Sequence, residues 1–244
     1  YQIADESTRN VIRQSLDRSV ESGWQSMTIS EEGEYAYMPP LGGGSEISAE
    51  NKPAYLEDWA NRNGYIIGQL VRWYDLTGSE SALKLSKYMA NWIVYHTDLV
   101  QADGSFTLSE SEDEYVDVGY DFRGHVESRL RTTASIIRCG IATNNREFIE
   151  WGKKVVDYVD RISRGNGSNS FGWFYENVMV RGGCETCCIT RMIDCAILLT
   201  KAGYPQYWNL VERAARNHLI ESQLRDVSWV NWTRRVEDTA DESY

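Results

Sequence analysis

Residues 126–162 read VESRLRTTASIIRCGIATNNREFIEWGKKVVDYVDRI, and the spacing of apolar residues in this stretch decides the fold. Val126 to Ala142 repeats apolar residues at helical intervals, Thr143-Asn144-Asn145 stops it, and Glu147 to Ile162 resumes with Phe148, Trp151, Val155, Val156, Tyr158 and Val159 on one face. Two helices joined by a tight polar stop form an antiparallel pair. The same grammar recurs on either side. Tyr65 to Leu76, the stop Thr77-Gly78 and Glu80 to His96 make an upstream copy, whose second helix buries Leu83, Leu85, Tyr88, Met89 and Trp92. Downstream, Cys187 to Thr200 ends near Gly203, and Tyr207 to Leu219 returns with Trp208, Leu210, Val211 and Ala215. Copies recur at roughly sixty residues, longer than a solenoid repeat but suited to helix pairs separated by working loops. The expected fold is all-α, an alpha/alpha toroid of the (α/α)6-barrel type or an incomplete piece of one.

Ahead of these pairs, Val11, Ile12, Leu16 and Val20 mark a first amphipathic helix. Residues 23–58 break the rhythm with Pro39, Pro40 and Gly42 to Gly44, and read as a long loop presenting Trp24, Tyr35 and Tyr37. The loops between pairs, near 98–122 and 163–183, are rich in Gly, Asp and aromatics; on a ring of helix pairs they share one rim around a central cavity. Strand signal is confined to Gly172–Tyr175 and Asn177–Val180, with an edge-like alternation at Trp229-Val230-Asn231-Trp232. No Pro/Gly/Ser linker divides the 244 residues, so one domain spanning 1–244 is expected, with 226–244 as the start of a further segment. Because the first residue is Tyr1 rather than Met, a processed or trimmed chain is also expected.

A net charge of −11 without clustered Lys/Arg argues against nucleic acid and favours a neutral or cationic ligand. No apolar run reaches membrane-spanning length, so no membrane is expected. Nine Trp and fifteen Tyr suit a thick helical core or a cleft that stacks on sugars. The five cysteines, Cys139, Cys184, Cys187, Cys188 and Cys195, are odd in number with four in one short segment. That pattern reads as reduced thiols and a cytoplasmic setting.

The segment Gly183-Cys184-Glu185-Thr186-Cys187-Cys188 opens the third pair. Carboxylate and thiolate both bind zinc, and an irregular first turn lets Glu185 and Cys187 converge on one ion. The competing reading makes Cys184, Cys188 and Cys195 a buried stripe of small apolar residues. His125 follows Arg123 and Gly124 at a helix start, where it hydrogen-bonds a sugar or simply ends the helix. Glu110, Glu112, Asp113, Glu114 and Asp117 match no calcium loop and read as solvated.

Cys184-Glu185-Thr186-Cys187-Cys188-Ile189, with Asp194, Ile197, Leu198, Tyr207-Trp208 and Val211-Glu212 after it, resembles the Glu-Thr-Cys segment of the bacterial beta-L-arabinofuranosidase family, glycoside hydrolase family 127 and its relatives. Gly124-His125-Val126 and Phe171-Gly172-Trp173-Phe174-Tyr175-Glu176 are looser points of similarity, and the resemblance covers about residues 60–225. It implies zinc on Glu185 and Cys187. The family completes its site with a downstream pair of adjacent cysteines, one of them the nucleophile, and this sequence has no such pair. Either Cys184 or Cys188 substitutes, with Cys188 the candidate nucleophile, or the barrel is incomplete, or the chemistry is lost. Glu176 corresponds to the general acid/base; around such a site Trp173, Tyr175 and Tyr35 would stack on the sugar ring and His125 would hydrogen-bond its hydroxyls.

The function expected from this is that of a zinc-thiolate glycoside hydrolase acting exo on arabinofuranoside-like sugars, with carbohydrate as its partner. Two rivals are a non-catalytic carbohydrate-binding or scaffold domain and a sugar epimerase on the same fold. An epimerase relies on paired histidines, and this chain has only His96, His125 and His218.

Overall fold

The computed structural model describes residues 4–39, 52–107, 124–164, 172–178 and 183–223. The Gly42–Gly44 run, the acidic run 110–117, Arg123, Phe171 and the Trp229–Trp232 segment lie outside them. The described chain is mostly helical: α1 (Glu6–Ser26), α2 (Lys52–Thr77), α3 (Glu80–His96), α4 (Val126–Ala142), α5 (Arg146–Arg164), α6 (Thr186–Lys201) and α7 (Trp208–Ala214). Two short strands, β1 (Thr28–Ile29) and β2 (Ala36–Tyr37), form an antiparallel hairpin.

Each expected pair is present, and each stop works as its residues dictate. Gly78 (φ 72°), Asn144 (φ 51°) and Gly203 (φ 99°) occupy the left-handed region, which ends a helix and lets the next one start antiparallel. The long loop expected over 23–58 is shorter than that. Trp24 belongs to the last turns of α1, the hairpin occupies 28–37, and α2 begins at Lys52. Pro53 in its second position is no obstacle, because the first turn needs no amide donor there. The strand signal at Gly172–Tyr175 produces no strand; one bridge, His125 to Asn177, joins this segment to the start of α4.

Contacts sort the helices into two rows. α2 packs on α4 and α4 on α6, while α3, α5 and α7 each return along their own partner. α4 is the hub: thirteen of its seventeen residues are buried, so it is covered on nearly every side. Leu130 and Ile137 enter a cluster with Val155, Phe174, Ile189 and Met192, whereas Ile136 and Cys139 enter a second one with Ile67, Leu85, Met89 and Phe148. Each such fully buried aliphatic side chain stabilises the fold by about 1.5–3 kcal/mol.

The approach of α2 to α4 depends on absent side chains. A Cβ on Gly64 would stand 2.4 Å from Oγ1 of Thr132, and one on Gly68 would stand 2.6 Å from Oγ of Ser135. Glycine four residues apart on one face lets the helices touch backbone to side chain, and Oγ1 of Thr132 then donates to Oδ1 of Asn61 at 3.1 Å. Among the described residues no helix is long and apolar enough to cross a membrane.

Candidate functional site

The starts of α4 and α6 lie side by side, and the segment Gly172–Val178 is sewn between them. Phe174 and Val178 are buried and anchor it in the core. The backbone of Val126 donates to the carbonyl of Glu176 at 2.8 Å, that of Val178 to Gly124 at 2.9 Å, and that of Glu176 to Gly183 at 3.0 Å. Glu176 is therefore tied by its own peptide groups to the lead-in of both helices. With Phe174 turned inward, alternation turns Trp173 outward, and it is 48% exposed.

His125 caps α4. Its Nδ1 accepts the backbone N–H of Ser128 at 3.3 Å and lies 3.0 Å from the Ser128 hydroxyl. An acceptor at Nδ1 places the proton of a neutral ring on Nε2, which points at Oε2 of Glu185, 3.4 Å away. The same oxygen accepts from Sγ of Cys187 at 2.9 Å. Two groups of ligand atoms, Glu185 with Cys187 and Cys188, and His125 with Glu176 and Glu185, each fall within 4.8 Å of one another. Glu185 is common to both, so two carboxylates, two thiols and an imidazole share one corner of the molecule. Gly183 leaves space for it, because a Cβ there would come within 2.8 Å of Oε2 of Glu176.

The electrostatics of this corner are one-sided. Burial first, and then the Glu185 carboxylate, push the Cys187 thiol up to about 11, and Glu127 adds to the effect. Burial also raises the Cys188 thiol strongly. Thiols beside an uncompensated carboxylate stay protonated at neutral pH, and a cation among them reverses that. Three donors of mixed O and S type are of the kinds that zinc takes. The residues present therefore fit the metal. The two thiols differ in access: Cys187 is exposed and Cys188 is buried.

The remaining expected residues take other partners. Cys184 faces His218, with Sγ 3.4 Å from Nδ1, and burial raises its thiol to about 11. His218 was not singled out as a site residue by sequence reasoning. It lies in a π turn, Ala215–Leu219, that continues α7, and its ring stacks on Trp173 at 4.1 Å and 3°. Such turns often mark working positions in helices, but no feature of the sequence announces this one. Tyr175 is half-buried next to Glu176. Tyr35 packs its ring against His96, 4.0 Å away and tilted by 33°, and lies against the other core cluster, that of the first helix pair. The three histidines thus have three different aromatic or carboxylate partners rather than one another. Cys139 and Cys195 are fully buried core thiols.

A second feature was invisible in the sequence. Glu127, 5% exposed, accepts from Nε of Arg131 at 2.8 Å and from Nε of Arg191 at 3.1 Å. These arginines open onto a cleft of about 380 Å³ that runs between α2, α4 and α6 and also contains Arg72, Arg138 and Asp194. No family model matches the chain, and no match was found to a curated protein or to a solved structure.

Proposed function

We propose that the chain is a glycoside hydrolase with a zinc-thiolate site, carried on helix pairs arranged as in an alpha/alpha toroid. The observation that carries this reading is the convergence of Glu185, Cys187 and Cys188 within 4.8 Å, with Glu176 and His125 as near to the Glu185 carboxylate. The two rows of alternating helices, with the cluster at the starts of α4 and α6, support the toroid.

In this reading Glu185, Cys187 and Cys188 hold the metal, and His125 orients Glu185 through its Nε2 proton. When bound, zinc supplies the positive charge that keeps a thiol ionised at neutral pH. Cys187 is the thiol that a sugar can reach; Cys188, buried beneath it, serves the ligand set. Cleavage then needs two groups. The Cys187 sulfur forms a bond to the anomeric carbon while the bond from that carbon to the departing oxygen breaks, and Glu176 gives that oxygen its proton. Glu176, now a carboxylate, takes a proton from water; the water oxygen bonds to the anomeric carbon and the thiolate leaves. Configuration is retained. Trp173, exposed and braced flat on His218, offers a face for a sugar ring. The substrate class is an exo-cleaved arabinofuranoside-like sugar.

The test is turnover of a p-nitrophenyl β-L-arabinofuranoside together with elemental analysis. Glu176→Gln lowers turnover by about 10²–10⁴-fold and keeps its zinc, as expected for loss of a general acid/base. Cys187→Ser lowers the zinc content. Unchanged turnover in the first variant, or full zinc in the second, removes that residue from its role.

A further inference from the structure

The arginine cleft lies outside the cluster just described. It is bounded by one helix from each pair, and its charge opposes that of the protein as a whole. Arg131 and Arg191 share the Glu127 carboxylate, and Arg138 lies 3.4 Å from Asp194. Arg72 makes no ion pair among the described residues. Among the described residues four guanidinium groups thus face two carboxylates, which leaves two positive charges unmatched there, in a chain of net charge −11.

These groups are held in place. The side chains of Arg131, Arg138 and Arg191 are 38%, 22% and 33% exposed, so their stems pack along the walls while part of each head meets solvent. The Arg131 guanidinium sits 4.4 Å over the Tyr65 ring, which fixes its plane. A volume of about 380 Å³ lies within the roughly 300–1,000 Å³ typical of small-molecule sites, at the compact end. Gln69 and Ser135 add uncharged polar groups to the walls. Arginine presents paired N–H donors that match the oxygens of a carboxylate or phosphate, so several converging on one hollow select an oxyanion.

The cleft also begins where the cluster ends. Arg191 follows Cys187 by one helical turn on α6, about 6 Å along the helix from the exposed thiol, and Asp194 follows by two, about 10 Å. That distance spans one sugar ring with an acidic substituent. We propose that the cleft binds the oxyanion of a compact polar ligand, a carboxylate or a phosphate. Resting on the hydrolase reading above, that ligand is the acidic sugar part of the substrate.

The experiment follows the Arg Nε–H signals of the whole chain by ¹H–¹⁵N NMR in the Glu176→Gln background, titrating D-glucuronate, D-glucose 6-phosphate or D-glucose. At least one acidic sugar shifts Arg131, Arg138 and Arg191 saturably, and D-glucose binds at least about 10-fold more weakly, the equivalent of one charge-assisted hydrogen bond. Response to glucuronate alone identifies a carboxylate site, and response to the phosphate alone a phosphate site. Arg72→Gln, at an exposed position that leaves the circular dichroism unchanged, weakens binding at least about 5-fold, and Arg138→Gln does the same. Equal affinity for D-glucose, absence of saturable shifts, or parental affinity in both arginine variants overturns the proposal. The readout does not use turnover. Absent anion binding in this variant, with glycosidase activity present in the parent chain, therefore refutes the cleft alone, and anion binding alongside a parent chain that turns over no aryl glycoside refutes the hydrolase reading alone.

Discussion

Gly64→Ala is the substitution whose cost follows most directly from the geometry. In an open helix the change stabilises by about 0.8–1 kcal/mol, because alanine has the higher helix propensity. Here the new methyl would stand 2.4 Å from Oγ1, 2.5 Å from Cγ2 and 2.8 Å from Cβ of Thr132. Carbon contacts settle near 3.5–4.0 Å, so roughly 1 Å of separation is required. No rotamer of Thr132 provides it, since Cβ is itself too close and moves only with the backbone. α2 and α4 must part. Overpacking of this kind costs about 1–3 kcal/mol, and stretching the 3.1 Å hydrogen bond from Thr132 to Asn61 adds about 1 kcal/mol. Set against the propensity gain, the net loss is about 1–3 kcal/mol. Urea unfolding should show the midpoint falling at unchanged slope, with Tm lower by about 2–4 °C for each kcal/mol in a chain of this size. Thr132→Ala removes the two nearest atoms, so the double variant should recover about 1 kcal/mol relative to additivity. If Gly64→Ala leaves the chain as stable as before or makes it more so, the close α2–α4 contact is refuted.

Two further substitutions separate structural from chemical roles. His125→Asn keeps a good helix cap but loses the Nε2 proton directed at Glu185; stability should stay within about 0.5 kcal/mol, while zinc affinity measured by competition with a chelator drops about 10–100-fold. An unchanged zinc affinity would deny His125 any part in orienting the ligand. Glu127→Gln keeps the shape and one acceptor but removes the charge shared by Arg131 and Arg191. Both arginines retain access to water, so the loss in urea unfolding should be about 1–2 kcal/mol rather than the 3–5 kcal/mol of a wholly buried pair. A loss below about 0.3 kcal/mol would mean the carboxylate is not a hub.

The helix pairs were legible because two local signals agree at each boundary. Apolar spacing predicts the buried face, and a residue able to adopt positive φ ends the helix: Gly78, Asn144 and Gly203 all do so. The start of α2 was not legible, since Pro53 and the Gly-rich stretch before it look like a loop until one notices that proline in a first turn costs nothing. The hairpin Thr28–Tyr37 escaped because two-residue strands are too short to show alternation. Gly172–Tyr175 misled in the opposite direction: its in-and-out alternation is real, Phe174 buried and Trp173 exposed, but the segment hydrogen-bonds to two helix starts rather than to a strand.

What the sequence exposes about the site depends on how far apart the members lie. Glu185 and Cys187 are neighbours whose contact spacing alone suggests, and the thiol does reach the carboxylate at 2.9 Å. Glu176 comes from a loop, and its approach depends on peptide hydrogen bonds to Val126 and Gly183 that no side-chain pattern encodes. The arginine cleft is the extreme case. A sequence-wide charge of −11 without a basic run argues for a neutral or cationic ligand, yet charge is read by a ligand locally. One arginine on α2, two on α4 and one on α6 become neighbours only because these three helices form a row. Each is an ordinary surface cation on its own helix, and glycines at 64 and 68 decide how closely α2 approaches the others. The same contact that makes Gly64→Ala costly thus sets the width of the cleft, so that variant should weaken binding of an acidic sugar along with stability, even though Gly64 carries no group able to touch a ligand.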